Sequence, residues 1–174
     1  MATDEDLMRA VVRGNERAFE ELCRRYERPL YGFLARHVGE EHAADLHQDT
    51  WLRVARHAER FDPTRRFSTW LFQIAINLCR DWHRRPPPEP VAPADADRPG
   101  AATTAASEAG IDARRLLAAL PEAQRTVVIL RLYHDLSETE VAEILGCAAG
   151  TVKSRLHYAL ERLVALARDD GALP

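Results

Sequence analysis

The chain has 174 residues, of which 46% are hydrophobic and 29% charged, a balance typical of soluble globular proteins rather than disordered or membrane-embedded ones. No apolar run is long enough to span a bilayer, and no charged, hydrophobic leader opens the chain, so we expect a cytoplasmic protein without membrane insertion. Cys23, Cys79 and Cys147 lie far apart, which suggests a reducing compartment rather than a disulfide framework.

Residues 1–85 have the hydrophobic periodicity of a small bundle of amphipathic helices. Four helices are predicted, at 7–13, 16–38, 41–60 and 69–85. Pro29 is expected to interrupt the second helix, because proline removes a helical hydrogen bond. Asp62 followed by Pro63 predicts a turn before the fourth helix. No segment shows the alternating pattern of a β-strand, so we expect an all-α fold.

The third predicted helix carries a polar stripe with one leucine in its middle. The spacing i, i+3, i+4, i+7, i+11 places the stripe on one helical face, which consists of Asp45, Gln48, Asp49, Leu52 and Arg56. A solvated face with a stray leucine would have this pattern. A docking surface for another protein would also place an apolar residue among polar ones. The pattern alone leaves both interpretations open.

The fourth predicted helix has two distinct faces. Its apolar face is predicted to lie in the core and consists of Phe67, Trp70, Leu71, Ile74, Leu78 and Trp82. The opposite face consists of Gln73, Asn77, Arg80 and Arg84. Amide and guanidinium groups contact base edges and phosphates in nucleic-acid complexes. This face therefore predicts a nucleic-acid contact, with a solvated face as the alternative.

Residues 86–110 read PPPEPVAPADADRPGAATTAASEAG and contain no aromatic and almost no large aliphatic side chain. Such a segment cannot bury enough surface to offset the entropy cost of ordering, so we expect a flexible Pro/Ala-rich linker. The linker divides the chain into two small helical domains, at 1–85 and 111–170.

Charge is unevenly distributed along the chain, whose formal net charge is -3. Residues 61–85 contain five arginines and two aspartates, whereas the linker contains four acidic residues and one arginine. Neutralisation of phosphates supplies most of the nonspecific affinity of proteins for DNA. A locally basic face in an acidic protein therefore suggests DNA binding that needs a partner.

Residues 136–160 read LSETEVAEILGCAAGTVKSRLHYAL and predict a helix, a short turn and a second helix. Ser137 and Glu140 have the capping-box spacing at the start of the first helix. Gly146 and Gly150 bracket the predicted turn, and Thr151 is expected to cap the second helix.

The second helix of this pair is amphipathic. Its predicted core face consists of Val152, Leu156, Ala159 and Leu163. Its outward face consists of Ser154, His157, Tyr158 and Glu161, with Lys153 and Arg155 on the flanks. A helix-turn-helix places such a second helix in the DNA major groove. Two helices of an ordinary bundle are the alternative.

Three blocks, in this order, resemble those of extracytoplasmic-function sigma factors, the two-domain class of bacterial transcription initiation factors. FEELCRRYERPLYGFLARHVG resembles the first conserved segment of the family. AADLHQDTWLRVARHAERFDPTRRFSTWLFQIAINLCRDWHRR resembles its polymerase-docking, DNA-melting and promoter -10 segments. LPEAQRTVVILRLYHDLSETEVAEILGCAAGTVKSRLHYALERL resembles its promoter -35 domain. The resemblance covers nearly the whole chain.

The resemblance implies a role for each of the stripes. Core polymerase binding is expected at Asp45, Gln48, Asp49, Leu52 and Arg56. The -10 DNA contacts are expected in the loop 62–68 and on the fourth helix, at Arg65, Arg66, Gln73, Ile74, Asn77, Arg80 and Arg84. The -35 DNA contacts are expected at Thr151, Lys153, Ser154, Arg155, His157 and Tyr158.

The partners that the resemblance implies are core RNA polymerase, through the clamp coiled coil of its largest subunit and its flap, promoter DNA, and an anti-sigma factor. We expect no catalytic residues, no cofactor and no metal. Cys79 and His83 are four residues apart on one helix, but no second pair would complete a zinc site. A helix-turn-helix regulator with an unrelated first domain remains the alternative, and it predicts binding of free protein to a palindromic operator.

Overall fold

The computed structural model describes residues 2–84 and 108–169, without the side chains of 108–112 and 169. Within these ranges all regular structure is helical and no strand occurs, which confirms the all-α prediction. The helices are α1 Asp4–Val12, α2 Glu16–Val38, α3 Glu40–Arg56, α4 Phe67–Arg84, α5 Glu108–Ala118, α6 Glu122–Val128, α7 Glu138–Leu145 and α8 Ala149–Asp169. Residues 86–107 of the predicted linker lie outside the described residues. The last three residues of the predicted linker, 108–110, belong to α5, so the linker prediction is wrong there.

Helix α2 is continuous through Pro29, so the predicted interruption is wrong. Leu22 precedes the proline, Leu30 and Phe33 follow it, and all three side chains are completely buried. Burial of this apolar face against α1, α3 and α4 offsets the hydrogen bond that proline removes. Helix α2 can therefore serve as the central element of the N-terminal unit, residues 2–84.

Helix α4 is buried on more sides than its predicted apolar stripe allowed. Phe67, Leu71 and Leu78 lie in the core as predicted, but the other three members of the stripe, Trp70, Ile74 and Trp82, are only half-buried. Five residues outside the stripe are buried instead: Thr69, Phe72, Ala75, Ile76 and Cys79. The physical reason is that α4 packs against α2 and α3 and also against α7, so two faces are covered.

The C-terminal unit, residues 108–169, begins its helix-turn-helix as predicted. Ser137 Oγ accepts a hydrogen bond from the Glu140 N–H at 3.2 Å, and Glu140 Oε2 accepts one from the Ser137 N–H at 2.8 Å. This reciprocal pair is the predicted capping box. Gly146 ends α7 with a φ of 64°, a left-handed conformation that glycine adopts without strain.

The predicted start of α8, directly after a cap at Thr151, is wrong by three residues. The helix begins at Ala149, so Gly150 and Thr151 lie in its first turn rather than before it. The Ala148 carbonyl accepts hydrogen bonds from the N–H groups of Thr151 at 2.9 Å and Val152 at 3.3 Å. These bonds form a helical turn that begins before the expected cap at Thr151. Ala148 and Ala149 lie in this segment, and alanine favours helix.

The two units pack against each other. Helix α4 contacts α7, and α2 contacts α5 and a π turn at Ile129–Tyr133 that follows α6. Their buried apolar residues form one continuous cluster. None of the described helices is long and apolar enough to cross a bilayer.

Removal of the Ser137 cap should destabilise the helix-turn-helix. We expect Ser137→Ala to lower the free energy of unfolding by about 1 kcal/mol. The substitution removes the hydroxyl that accepts a hydrogen bond from the Glu140 N–H and donates one to Glu140 Oε2. Urea unfolding followed by circular dichroism measures the change. Ser154→Ala, at an exposed position of α8, should leave the transition within about 0.5 kcal/mol of wild type. Equal transitions for Ser137→Ala and Ser154→Ala would contradict the capping assignment.

Candidate nucleic-acid and protein interfaces

The predicted docking residues form one exposed surface on α3, here called the α3 stripe: Asp45, Gln48, Asp49, Leu52 and Arg56. Leu52 retains 44% of its surface, which makes it one of the most exposed large apolar residues in the described ranges. The opposite face of α3 is anchored by Leu46, Trp51 and Val54, which are buried. The stripe therefore presents carboxylates around an accessible leucine. The buried face of α3 fixes the position of the helix.

A short loop, residues 62–66, leads into α4 and is held by its own hydrogen bonds. Asp62 Oδ1 accepts from the Thr64 N–H at 2.9 Å and from Thr64 Oγ1 at 2.7 Å, and these bonds lower the pKa of Asp62. Phe61 and Phe67, both buried, anchor the two ends with ring centroids 6.0 Å apart. A loop fixed in this way projects Arg65 and Arg66 away from the core.

Both arginines of the loop pair with the C-terminal unit. Arg65 Nε donates to Glu143 Oε1 at 2.5 Å, and Arg66 Nη1 donates to Glu140 Oε1. The hydrogen bond that Arg66 donates to Glu140, and then the negative charge of Glu140, raise the pKa of the Arg66 guanidinium. Sequence analysis missed these pairs because the partners lie 78 and 74 residues apart and no local pattern connects them.

The polar face of α4 is accessible along its length. Asn77 and Arg84 are exposed, whereas Gln73, Ile74 and Arg80 are half-buried. Arg84 Nε donates to the Arg80 carbonyl at 3.3 Å, and its Nη2 lies 3.5 Å from an Asp81 carboxylate oxygen. The half-buried Trp70 packs against Phe61 near the start of the same helix, with ring centroids 5.3 Å apart. The face offers amides, guanidinium groups and an aromatic ring to a ligand.

The outward face of α8 has the predicted exposure. Lys153, Ser154, His157 and Tyr158 are exposed, and Tyr158 retains 59% of its surface. Thr151 and Arg155 are half-buried. Two residues of the opposite face, Val152 and Ala159, are completely buried and hold the helix on its unit.

Interactions among these side chains are weak and local. Ser154 Oγ donates to the Thr151 carbonyl at 3.1 Å, and His157 Nε2 lies 3.4 Å from Glu161 Oε1. Lys153 makes no ion pair with any part of the chain that the structure describes. The polar groups of this face are therefore largely available to an external ligand.

Two of the three cysteines, Cys23 and Cys79, are unfavourable as metal ligands. All three are free thiols. Burial raises the pKa of Cys79 to about 12 and that of Cys23 to about 11, so both stay protonated near neutral pH. A metal would require the thiolate of Cys79. Among the described residues, no three histidine, cysteine, aspartate or glutamate side chains come together as a possible metal site.

Family models match both units of the chain. The model of sigma-70 region 2 matches residues 22–86, and a model of sigma-70 region 4 matches residues 111–163. The first match includes the α3 stripe and the polar face of α4. The second includes the helix-turn-helix.

Curated relatives align over nearly the full length. The chain is 31% identical to the ECF RNA polymerase sigma-E factor of Haemophilus influenzae, an alignment that covers 92% of this chain and 93% of the relative. It is 39% identical to the ECF RNA polymerase sigma factor SigM of Mycobacterium tuberculosis, with 94% and 84% covered. Identity to SigW of Bacillus subtilis is 31%, with 93% and 95% covered.

Two solved structures are similar across both units. One is CnrH in complex with the cytosolic domain of CnrY, with a TM-score of 0.79, 28% identity, and 96% of this chain and 98% of that chain covered. The other is the sigma factor RpoE of Bartonella quintana in complex with the anti-sigma factor NepR, with a TM-score of 0.69, 26% identity, and 86% and 96% covered.

Proposed function

Because the chain belongs to the extracytoplasmic-function family of RNA polymerase sigma factors, we propose that it binds core RNA polymerase through the α3 stripe and directs transcription initiation at promoters that carry -10 and -35 elements. The observation that carries this assignment is the set of three accessible surfaces in family order: the α3 stripe, the loop with the polar face of α4, and the outward face of α8. The protein directs the catalysis of the polymerase and performs none itself.

The -10 element is contacted by the loop and α4. Arg65, Arg66, Arg80 and Arg84 supply positive charge for the phosphate backbone. Asn77 and Gln73 supply amides, and Ile74 lines the same face. An extruded base costs a few kcal/mol in lost stacking and pairing, which contacts with these amides and guanidinium groups offset.

The -35 element is contacted by α8 in the major groove. Lys153 and Arg155 contact phosphates or guanines, and the short side chains of Thr151 and Ser154 allow a close approach to the DNA. His157 and Tyr158 extend the surface by one turn. The acidic Glu161 beside His157 marks the edge of the contact.

The cellular location of the protein and the kind of protein that inhibits it follow from this assignment. The protein acts in the cytoplasm, where core RNA polymerase and promoter DNA are found. An anti-sigma factor that covers the exposed Leu52 and the outward face of α8 would exclude the polymerase by direct competition. The anti-sigma factor NepR in the Bartonella quintana complex provides the comparison for such a partner.

Run-off transcription with purified core RNA polymerase tests the proposal. We expect the protein to initiate at promoters of its own host that core polymerase alone does not use. Genomic fragments from the host, transcribed with and without the protein, supply the templates. Absence of protein-dependent transcripts from all fragments would refute the function. Tight binding of the free protein to a palindromic operator would instead favour the helix-turn-helix regulator.

Removal of the basic residues of α8 should weaken the -35 contact. We expect Arg155→Ala and Lys153→Ala each to reduce promoter affinity by roughly 1–3 kcal/mol if the contact is a bidentate base contact. Binding of the polymerase holoenzyme to duplex promoter DNA, measured by gel shift, gives the values. Arg168→Ala, at an exposed position near the end of α8, is the matched control. Wild-type affinity in both test variants would contradict the placement of the -35 surface.

A further inference from the structure

The first backbone N–H of α4 is bound by a side chain of α1. Glu5 Oε1, in the first turn of α1, accepts a hydrogen bond from the Phe67 N–H at 2.9 Å. The first N–H groups of a helix have no partner within that helix, and a carboxylate beside them also interacts favourably with the helix dipole. Glu5 therefore caps α4 from a position 62 residues earlier in the chain.

The loop before α4 does not supply this cap itself. Arg66 directly precedes Phe67, and a guanidinium group has no hydrogen-bond acceptor. Asp62, the one acidic residue of the loop, uses its Oδ1 to bind Thr64 within the loop. The first turn of α4 contains no acidic residue. The start of α4 therefore depends on the carboxylate that α1 provides.

The position of Glu5 is set by the contacts of its neighbour Asp4 with α2. Asp4 Oδ1 accepts a hydrogen bond from Arg25 Nη1, and Asp4 Oδ2 accepts one from the Tyr26 hydroxyl, both at 2.6 Å. Arg25 Nη1 also donates to the Ala2 carbonyl at 3.1 Å. The first turn of α1 is thus held on α2, and Glu5 reaches α4 from a fixed support.

Tyr26 connects the same support to the start of α4. Its ring meets the Phe67 ring edge-on, with ring centroids 5.3 Å apart. Burial, and then the hydrogen bond donated to Asp4, raise the pKa of Tyr26, so the hydroxyl stays protonated and remains a donor near neutral pH. The Phe67 side chain is completely buried. Both the ring and the backbone N–H of Phe67 are therefore held, the ring by Tyr26 and the N–H by Glu5.

The cap lies at the junction of the loop and the polar face of α4. Arg65 and Arg66 immediately precede Phe67 in the sequence. The bonds of Asp62 fix the beginning of the loop, and the bond of Glu5 fixes its end. The direction in which the loop enters α4 determines where the two arginine side chains project. Loss of the cap would free the end of the loop and the first turn of α4.

We propose that Glu5 is a positioning residue for promoter opening, which fixes the loop and the start of α4 by capping the Phe67 N–H. The inference rests on the proposed function, because it takes the loop and the polar face of α4 to contact the -10 element. Glu5 acts through the backbone of Phe67 and does not touch DNA. Core docking and the -35 contact use α3 and α8, so they do not depend on this cap.

The charge of Glu5 by itself predicts an effect of the opposite sign. After the hydrogen bond to Glu140 and the charge of Glu140, the charge of Glu5 also raises the pKa of the Arg66 guanidinium. A negative charge this close to the loop repels DNA phosphates. A purely electrostatic role therefore predicts faster opening whenever Glu5 is neutralised. A positioning role predicts slower opening only when the hydrogen-bond acceptor is lost.

Three variants separate the hydrogen bond from the charge and from the stability of α1. Glu5→Gln keeps an oxygen acceptor and removes the charge, whereas Glu5→Ala removes both. Asp6→Ala is the matched control, because it removes a carboxylate from the same turn of α1 and the capping-box bond that Asp6 accepts from the Thr3 N–H. Asp6 is exposed, and its other partner is Arg9 of α1 rather than a residue of α4.

The cap is measured in the free, full-length protein through hydrogen exchange of the Phe67 amide, followed by NMR. We expect exchange about three- to thirtyfold faster in Glu5→Ala than in wild type. Glu5→Gln and Asp6→Ala should stay within about threefold of wild type. The amide of Phe33, in the buried part of α2, reports global unfolding and should be unchanged. A wild-type rate at Phe67 in Glu5→Ala overturns the cap.

Positioning is measured with the polymerase holoenzyme, through permanganate reactivity of unpaired -10 thymines. We expect Glu5→Ala to form the open complex about three- to thirtyfold more slowly than wild type, with Glu5→Gln and Asp6→Ala within about threefold. Affinity for core polymerase and for duplex promoter DNA should not change in any variant. Equal slowing by Asp6→Ala and Glu5→Ala overturns the inference, as does faster opening in both Glu5 variants.

Tyr26→Phe keeps the test decisive if Glu5→Ala loses helix content by circular dichroism. It retains the ring against Phe67 and removes the hydroxyl that binds Asp4. We expect opening to slow about two- to fivefold with unchanged affinity for core polymerase. Opening at the wild-type rate would then overturn the inference. Failure of the proposed function is a separate result, seen as absence of run-off transcription by wild type, and it does not affect amide exchange at Phe67.

Discussion

Replacement of Asp49 by arginine and Leu52 by alanine in the same chain will weaken binding to core RNA polymerase by roughly 2–4 kcal/mol, on the order of 30- to 1,000-fold in Kd. The reversal of charge places a cation where the stripe presents carboxylates, and the truncation removes its exposed apolar contact. Both positions are exposed on α3 and contribute nothing to the core. Fluorescence anisotropy with labelled protein and purified core polymerase measures the loss.

The matched control for this variant lies outside the α3 stripe. Glu20→Arg combined with Val12→Ala makes a similar change of charge and apolar size at two exposed positions of α1 and α2. We expect the control to bind core polymerase as wild type does, and circular dichroism should give the same helix content for all three proteins. Wild-type affinity of the Asp49 and Leu52 variant would remove docking from the α3 stripe.

Asn77→Ala will impair opening of the -10 region more than binding to duplex promoter DNA. Loss of a base contact that forms only with the extruded base should slow formation of the open complex roughly tenfold to 100-fold. Initial binding of the holoenzyme depends on phosphate contacts and on α8, so it should change less than about threefold. Permanganate reactivity of unpaired thymines measures opening, and gel shift measures initial binding.

His83→Ala is the control for Asn77→Ala, because His83 is exposed on the same helix but does not share its face. We expect the control to open promoters at the wild-type rate. An equal loss of duplex binding and opening in Asn77→Ala would indicate a general DNA contact. Normal opening would exclude Asn77 from the -10 site.

Local features of the fold could be predicted where they depend on neighbouring residues. Ser137 and Glu140 form the expected capping box, and Gly146 ends α7 in the left-handed conformation. Prediction was wrong where tertiary packing overrides a local preference. Pro29 does not interrupt α2, because the buried residues on both sides of it stabilise the helix.

The candidate surfaces were predictable to different extents. Spacing alone places the α3 stripe on one face, and its members are exposed as such a face requires. The partner of each surface came from resemblance to a family, because periodicity does not distinguish a docking face from a solvated one. The roles of individual residues, such as Asn77 and Arg155, stay predictions until the variants are measured.

Sequence by itself determined the all-α class, the positions of most helices and the outward face of α8, because these depend on contacts between residues three or four positions apart. Only the tertiary structure decided that α4 is covered on two sides and that Arg65 and Arg66 pair with Glu143 and Glu140. Residues more than 70 positions apart come together only when the whole chain has folded. Each of these exposed ion pairs contributes little free energy, and no local sequence pattern indicates it.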